Sequence, residues 1–229
     1  VLGDRSSGKG ERRAVGLLAI LGSALYFLSD VIEVHQGRFS TVQLSLTLVA
    51  EAAVPVTVVG LAMVQRPVLD GVGRIAAVLY AYSFVFFTGT VVFALVHNTT
   101  DCKALTHQLG LWMFVHGAVM VLAGVGFGYE TLRAHLLPSW ASRALIIGVI
   151  LVALTQNAAE PIQLAAAGTR DLAFAGMGAS LCRNRQLRRP DAAVKIQDGD
   201  AGVPTISRQM SSCSLRLRRS LGHPHAQNS

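Results

Sequence analysis

Apolar residues along this chain come in long unbroken runs, separated by short polar or basic connections. Five runs, 14–34, 41–64, 75–96, 108–128 and 144–160, reach the roughly 17–25 residues that carry a helix across the hydrocarbon core of a bilayer. None shows the period-two alternation of a barrel strand. With the backbone satisfied only in helices or closed barrels at that depth, all five are expected to be helices. A sixth run, Leu172–Cys182, is 11 residues long. At 1.5 Å per residue it covers only about 16 Å. It reads as a half-helix, an interfacial segment, or a true span extended back over Gly168, Arg170 and Asp171.

The basic residues settle the crossing number expected from sequence. With an inside N-terminus and six crossings, 17 of the 20 Lys and Arg residues fall inside: Arg5, Lys9, Arg12, Arg13, Arg66, Arg74, Arg133, Arg143 and nine beyond residue 182. Only Arg38, Lys103 and Arg170 fall outside. Such a bias fixes orientation, and an even number of crossings is the one that puts the basic tail on the cytoplasmic side. The expected organisation is an all-α polytopic bundle of six spans over 14–182, five long and the last short. A cytoplasmic N-terminal segment, 1–13, precedes it, and a disordered basic cytoplasmic tail, 183–229, follows.

Composition agrees with lipid as the solvent. Charged residues make up 14% and hydrophobic residues 52% of the 229, against about 25% charged in soluble domains. Mean hydropathy is +0.47. The net charge of +7 invites a nucleic-acid reading, but its confinement to ends and connections argues for topology and against nucleic acid. Arginine outnumbers lysine 17 to 3, a skew that suggests a GC-rich bacterial genome and the plasma membrane as location. The first run follows Arg12 and Arg13 as a secretory signal would. At about 20 residues it is longer than the 7–15 of a signal core and is expected to be retained. Cys102, Cys182 and Cys213 lie in three regions without CxxC spacing, so neither a disulfide framework nor a thiolate site is expected.

Ionisable groups within spans are costly and mark function by default. Glu51 lies ten residues after Thr41, about 15 Å deep. Pro55, four residues on, removes a backbone donor to its carbonyl. His116, nine residues after His107, is expected at about 13 Å on a helix entering from the same side. Glu51 and His116 can therefore meet at one level, either as packing glue or as a buried polar site for a proton or substrate. Nearer the outside, Tyr26, Asp30 and Glu33 share one face of the first helix, and Asn157 and Glu160 stand three apart on the fifth. With His35, His97, Asp101 and His107 they outline an acidic outer vestibule. No HxxxH or HExxH spacing is present, and no metal or cofactor is expected.

Gly124 and Gly128 stand in GxxxG register, which suits close packing within the chain or a homo-oligomer seam. The basic runs of the tail suit contact with anionic lipid, at about 1 kcal/mol per residue near the surface. Asn98-Thr99-Thr100 matches a glycosylation sequon, expected by chance. No Walker loop, GxSxG elbow, dinucleotide fingerprint or zinc-enzyme motif occurs, so no catalytic residue is nominated.

Phe114-Val115-His116-Gly117-Ala118, Gly126-Phe127-Gly128, Leu137-Pro138-Ser139-Trp140 and Gly168-Thr169-Arg170-Asp171 resemble a group of small multi-pass bacterial membrane proteins without an assigned activity. That resemblance implies a bundle of about six helices and nothing about function. The leading reading is a non-enzymatic integral membrane protein, transporter-like or an accessory subunit. A membrane-embedded metal- or haem-binding redox protein using His116 is one alternative, and a scaffold acting through its tail is another.

Overall fold

The computed structural model describes residues 7–99 and 101–183, and every regular element among them is helical. The order is α1 Ser7–Gln36, α2 Thr41–Gln65, α3 Gly71–His97, α4 Cys102–Leu109, α5 Leu111–Ala134, α6 Ser139–Leu154 and α7 Glu160–Arg183. The segment 184–229, on which the expectations of a disordered, lipid-binding tail rest, lies outside the described residues. The expected boundary at residue 14 is not a helix end, because α1 already runs from Ser7.

Local chemistry sets the breaks. α1 stops at Gly37, whose φ of +62° only glycine adopts freely, and its N–H closes on the Glu33 carbonyl at 2.8 Å. Ser40, Asp70 and Asp101 cap α2, α3 and α4 by accepting from the N–H of Gln43, Gly73 and Ala104. Gly110, at φ +50° and ψ −124°, turns the chain between α4 and α5, so the run expected as 108–128 is split there. α2 continues through Pro55 as one helix.

Two expected elements are corrected. The fifth run, 144–160, ends as a helix at Leu154, and Glu160 instead opens α7. Pro161 explains this: its ring disfavours helix at the preceding residue and cannot continue one, but it suits a first helical turn. The sixth run is correspondingly longer than 172–182. α7 has 24 residues, about 36 Å at 1.5 Å per residue.

Each long helix packs on its neighbours in the order α1, α2, α3, α5, α6, α7, and α7 returns to α1, so six helices close a ring, with α4 resting on α5. The interior is filled by Tyr80, Phe84, Phe127, Phe174 and Met177 with Leu61, Leu145 and Val149. Tyr80 is the hub, stacked on Phe174 at 6.3 Å and edge-on to Phe84 at 5.2 Å. A smaller cluster of Leu44, Val91, Ala94 and Leu105 closes the end where α4 lies.

The outer face is apolar as well. Val49, Val56 and Met63 of α2 and Ile75, Val78 and Val85 of α3 all point outward and are exposed. A soluble protein does not present contiguous aliphatic surface on this scale. Among the described residues four helices, Gly10–Gln36 within α1 together with α2, α3 and α5, are long and apolar enough to cross a membrane, and α6 is a shorter apolar helix of 16 residues.

Glycine permits the closest approaches. A Cβ on Gly178 would fall 2.5 Å from the Gly16 carbonyl oxygen, and one on Gly16 would fall 2.7 Å from that of Gly178. α1 and α7 thus touch backbone to backbone. Gly124 and Gly128 are used in the same way within the chain, against Tyr80 and Val149 and against Ile146. The small-residue stripe that suits an oligomer seam is filled by α3 and α6. Gly178→Val is expected to destabilise the bundle by about 1–3 kcal/mol through overpacking. Gly117→Ala, with nothing within 4 Å of its added carbon, is expected to be neutral or to stabilise by up to about 1 kcal/mol. Unfolding of both variants in mixed micelles checks the contrast.

Candidate functional site

Three helices each bring a polar side chain to one level. Tyr26 lies ten residues before the end of α1 at Gln36, Glu51 ten after the start of α2 at Thr41, and Arg170 ten after the start of α7 at Glu160. Those helix ends belong to the same end of the bundle, so each group sits about 15 Å deep. The Tyr26 hydroxyl donates to Glu51 Oε1 at 2.8 Å. The Arg170 guanidinium lies over the Tyr26 ring, 4.5 Å from its centroid, and 6.0 Å from that of Phe84.

Arg170 is 5% exposed and spends its Nε and Nη2 donors on a single oxygen, Asp171 Oδ1, at 3.1 and 3.0 Å. Adjacent residues on a helix do not ordinarily face each other; here the long guanidinium folds back to reach its neighbour. Asp171 Oδ2 and Glu51 Oε2 are buried without a hydrogen-bond partner, as is the Tyr80 hydroxyl. Asp30, one turn above Tyr26 on α1, is within electrostatic reach of Arg170, Asp171, Glu33 and Glu51. One guanidinium therefore faces three carboxyl groups, Asp30, Glu51 and Asp171. Beside Arg170 and Asp171, with Asp30 and Glu51 outside its lining, lies a cavity with about 10 Å³ of free space, bordered by Ser23, Tyr26, Thr57, Arg170 and Asp171 on its polar side. That is room on the order of one water molecule.

α6 contributes no polar group to this centre but fixes its geometry. A Cβ on Gly148 would meet the Arg170 backbone nitrogen at 2.6 Å and its Cα at 2.8 Å. Only a glycine there lets α7 come in far enough to seat Arg170 under Tyr26.

Toward the near end of the bundle the polar face of α1 continues. Glu33 accepts from Gln43 Nε2 at 3.0 Å, and Gln43 Nε2 also reaches Thr47 at 3.2 Å. Ser29 bonds the Gln43 carbonyl at 3.1 Å and the Thr47 hydroxyl. Glu160, at the head of α7, is within electrostatic reach of Glu33. Of the outer residues nominated from sequence, Tyr26, Asp30, Glu33 and Glu160 thus share one side of the bundle. Asn157 does not stand on a helix with Glu160; it is exposed in the turn between α6 and α7.

Glu51 and His116 are not brought together. α3 stands between α2 and α5 in the ring, and His116 turns toward α3. Its Nδ1 lies 2.9 Å from the Trp112 carbonyl, which can only accept, so Nδ1 carries the proton. Nε2 is then the acceptor for the Tyr82 hydroxyl at 3.1 Å. Phe86 stacks on the ring at 3.6 Å. Both ring nitrogens thus lie within hydrogen-bond distance of protein partners. His97 bonds the Phe93 carbonyl at 3.0 Å. No group of three or more His, Cys, Asp or Glu side chains gathers in a metal-binding arrangement among the described residues.

Sequence reasoning counted Arg170 as an outer flank and so missed the centre of the site. The available signal was Pro161: starting the last helix there places Arg170 and Asp171 in its middle.

No protein-family model matches the chain, and comparisons with curated proteins and with solved structures find no match.

Removing Arg170 would leave Asp171 as an uncompensated buried charge. Arg170→Met is expected to cost about 3–5 kcal/mol, and adding Asp171→Asn to recover most of the loss. Unfolding free energies of the single and double variants in micelles check the coupling.

Proposed function

We propose that the chain is a six-span, transporter-like protein of the plasma membrane, with α1, α2, α3, α5, α6 and α7 as its spans and both ends cytoplasmic. The length of α7, about 36 Å against a hydrocarbon core of about 30 Å, supports the sixth crossing. The six-helix ring is compatible with the even number that the basic connections favour. α6, at 16 residues or about 24 Å, is accommodated by local thinning of the bilayer.

The observation that carries the functional reading is the Tyr26, Glu51, Arg170 and Asp171 cluster at mid-depth. Charges there are expensive, and they mark ion and substrate pathways when they line an interior cavity. Access is one-sided on this reading. Glu33, Asp30 and Tyr26 descend on one face of α1 from the outer end. Below Ala19, which also lines the cavity, the way is shut by the Gly16 and Gly178 backbones and by the aromatic interior. A small ion would thus reach the centre from outside and need movement of α1 against α7 to leave it. His116 takes no part and serves as packing between α3 and α5.

A cysteine on the outer polar face of α1 tests access. With Cys102, Cys182 and Cys213 replaced by serine, Glu33→Cys in oriented vesicles is expected to react with a small membrane-impermeant thiosulfonate added outside. Reagent confined to the cytoplasmic side should react far more slowly. No labelling from either side would overturn the reading.

A further inference from the structure

Resting on that reading, we propose that the species taken up at this centre is a proton carried on a single water, shared between Glu51 and Asp171 with the Tyr26 hydroxyl as the link. Three other classes of ligand fit less well. An organic solute needs hundreds of cubic ångströms in general, against about 10 Å³ of free space here. A metal cation would share that space with the Arg170 guanidinium, which borders it, and the repulsion between two cations is strong where water is excluded. An anion would find the one guanidinium already held through two donors by Asp171, with Asp30 and Glu51 close by.

The charge balance and the hydrogen bonds both suit a proton. One guanidinium offsets one carboxylate, leaving two carboxyl groups without a cation among the groups named. The groups that face Glu51 are Tyr26 and Asp30 from α1 and Arg170 from α7. Those that face Asp171 are Asp30 from α1, Tyr80 from α3 and Arg170 beside it. Asp171 borders the cavity and keeps Oδ2 unpartnered at 5% exposure. That oxygen can accept directly from a water in the cavity.

Glu51 is reached through Tyr26, which also borders the cavity. A hydronium there gives a proton to the phenol oxygen as the phenol's own proton passes to Glu51 Oε1, 2.8 Å away. Hydronium becomes water, carboxylate becomes carboxylic acid, and Tyr26 is neutral before and after. The positive charge of Arg170 stands beside both acceptors, so a proton on one favours ionisation of the other. The pair then exchanges one proton at a time.

The test uses the full chain in proteoliposomes loaded with a pH-sensitive dye, driven by a potassium diffusion potential with valinomycin. The wild type is expected to acidify the lumen faster than empty liposomes. Tyr26→Phe keeps the ring under Arg170 and removes only the link; it should slow acidification about 100-fold, as should Glu51→Gln, the scale of a positioned proton-transfer group. Tyr82→Phe, at the His116 contact, should leave the rate unchanged.

Radioactive sodium uptake in the same vesicles separates the two ideas. Sodium flux without proton flux would overturn the proton assignment and leave the transporter reading standing. Movement of neither ion, with the Glu33→Cys variant unlabelled, would overturn both. Infrared difference spectra of the purified protein across a pH jump give a readout free of transport: a protonated-carboxyl band lost in Glu51→Gln and shifted in Tyr26→Phe supports the proposal, and a band indifferent to both overturns it.

Discussion

A guanidinium cannot be kept in a hydrocarbon-filled interior unless opposite charge and donors' partners stand within a few ångströms of it. Arg170 imposes that condition on this bundle, and much of the fold answers to it. Asp171 supplies the direct counter-charge, Tyr26 a π-face, and Glu51 and Asp30 a surrounding negative potential. For these to converge, α1 and α2 must present their polar faces to α7 at one depth. Gly148 must also let α7 approach to backbone contact on its other side. The ring closes between α7 and α1, the helices that hold most of this charge.

Lipid as solvent explains why the remaining sequence can be so permissive. On the outside any aliphatic residue serves, and Val, Ile, Leu and Met occupy those positions without pattern. Inside, where a soluble protein would rely on the hydrophobic effect, association depends on close packing and on polar contacts between helices. The structure uses both. Glycines bring α1 onto α7, α3 onto α5 and α5 onto α6, while the Ser29, Gln43, Thr47 and Glu33 network ties α1 to α2.

Much of the fold was legible because hydropathy over about 20 residues reports helix length directly. The runs at 41–64 and 75–96 became helices with nearly those limits. Legibility failed where punctuation outweighed hydropathy. Gly110 split one run, and Pro161 moved five polar and charged residues, Glu160, Gln163, Thr169, Arg170 and Asp171, into a helix that the apolar run alone began at Leu172. Glu51 joins Tyr26 because a carboxyl about 15 Å deep needs a partner. His116 lies against α3, apart from Glu51, because depth along a helix carries no information about rotation around it. The face of α1 carrying Tyr26, Asp30 and Glu33 was readable, since spacings of four and three residues define one side of a helix without any tertiary knowledge.

The two halves of the interior differ in what could move. On the outer side of Tyr26 the contacts between helices are hydrogen bonds among hydroxyl, amide and carboxyl groups, which can exchange partners at modest cost because each has alternatives within a turn. On the inner side, Tyr80, Phe84, Phe127 and Phe174 interlock around one hub, and close-packed aromatic rings resist continuous deformation. The α1 and α7 seam below the site is neither. With Gly16 and Gly178 in backbone contact and Ala19, Ile20, Leu181 and Cys182 packed around them, it joins the two helices through close packing at small residues. A neutralised carboxyl group beside Arg170 would weaken the attraction that draws α7 to α1 and α2 just above that seam. The charge that closes the ring is therefore also the quantity that a single proton changes.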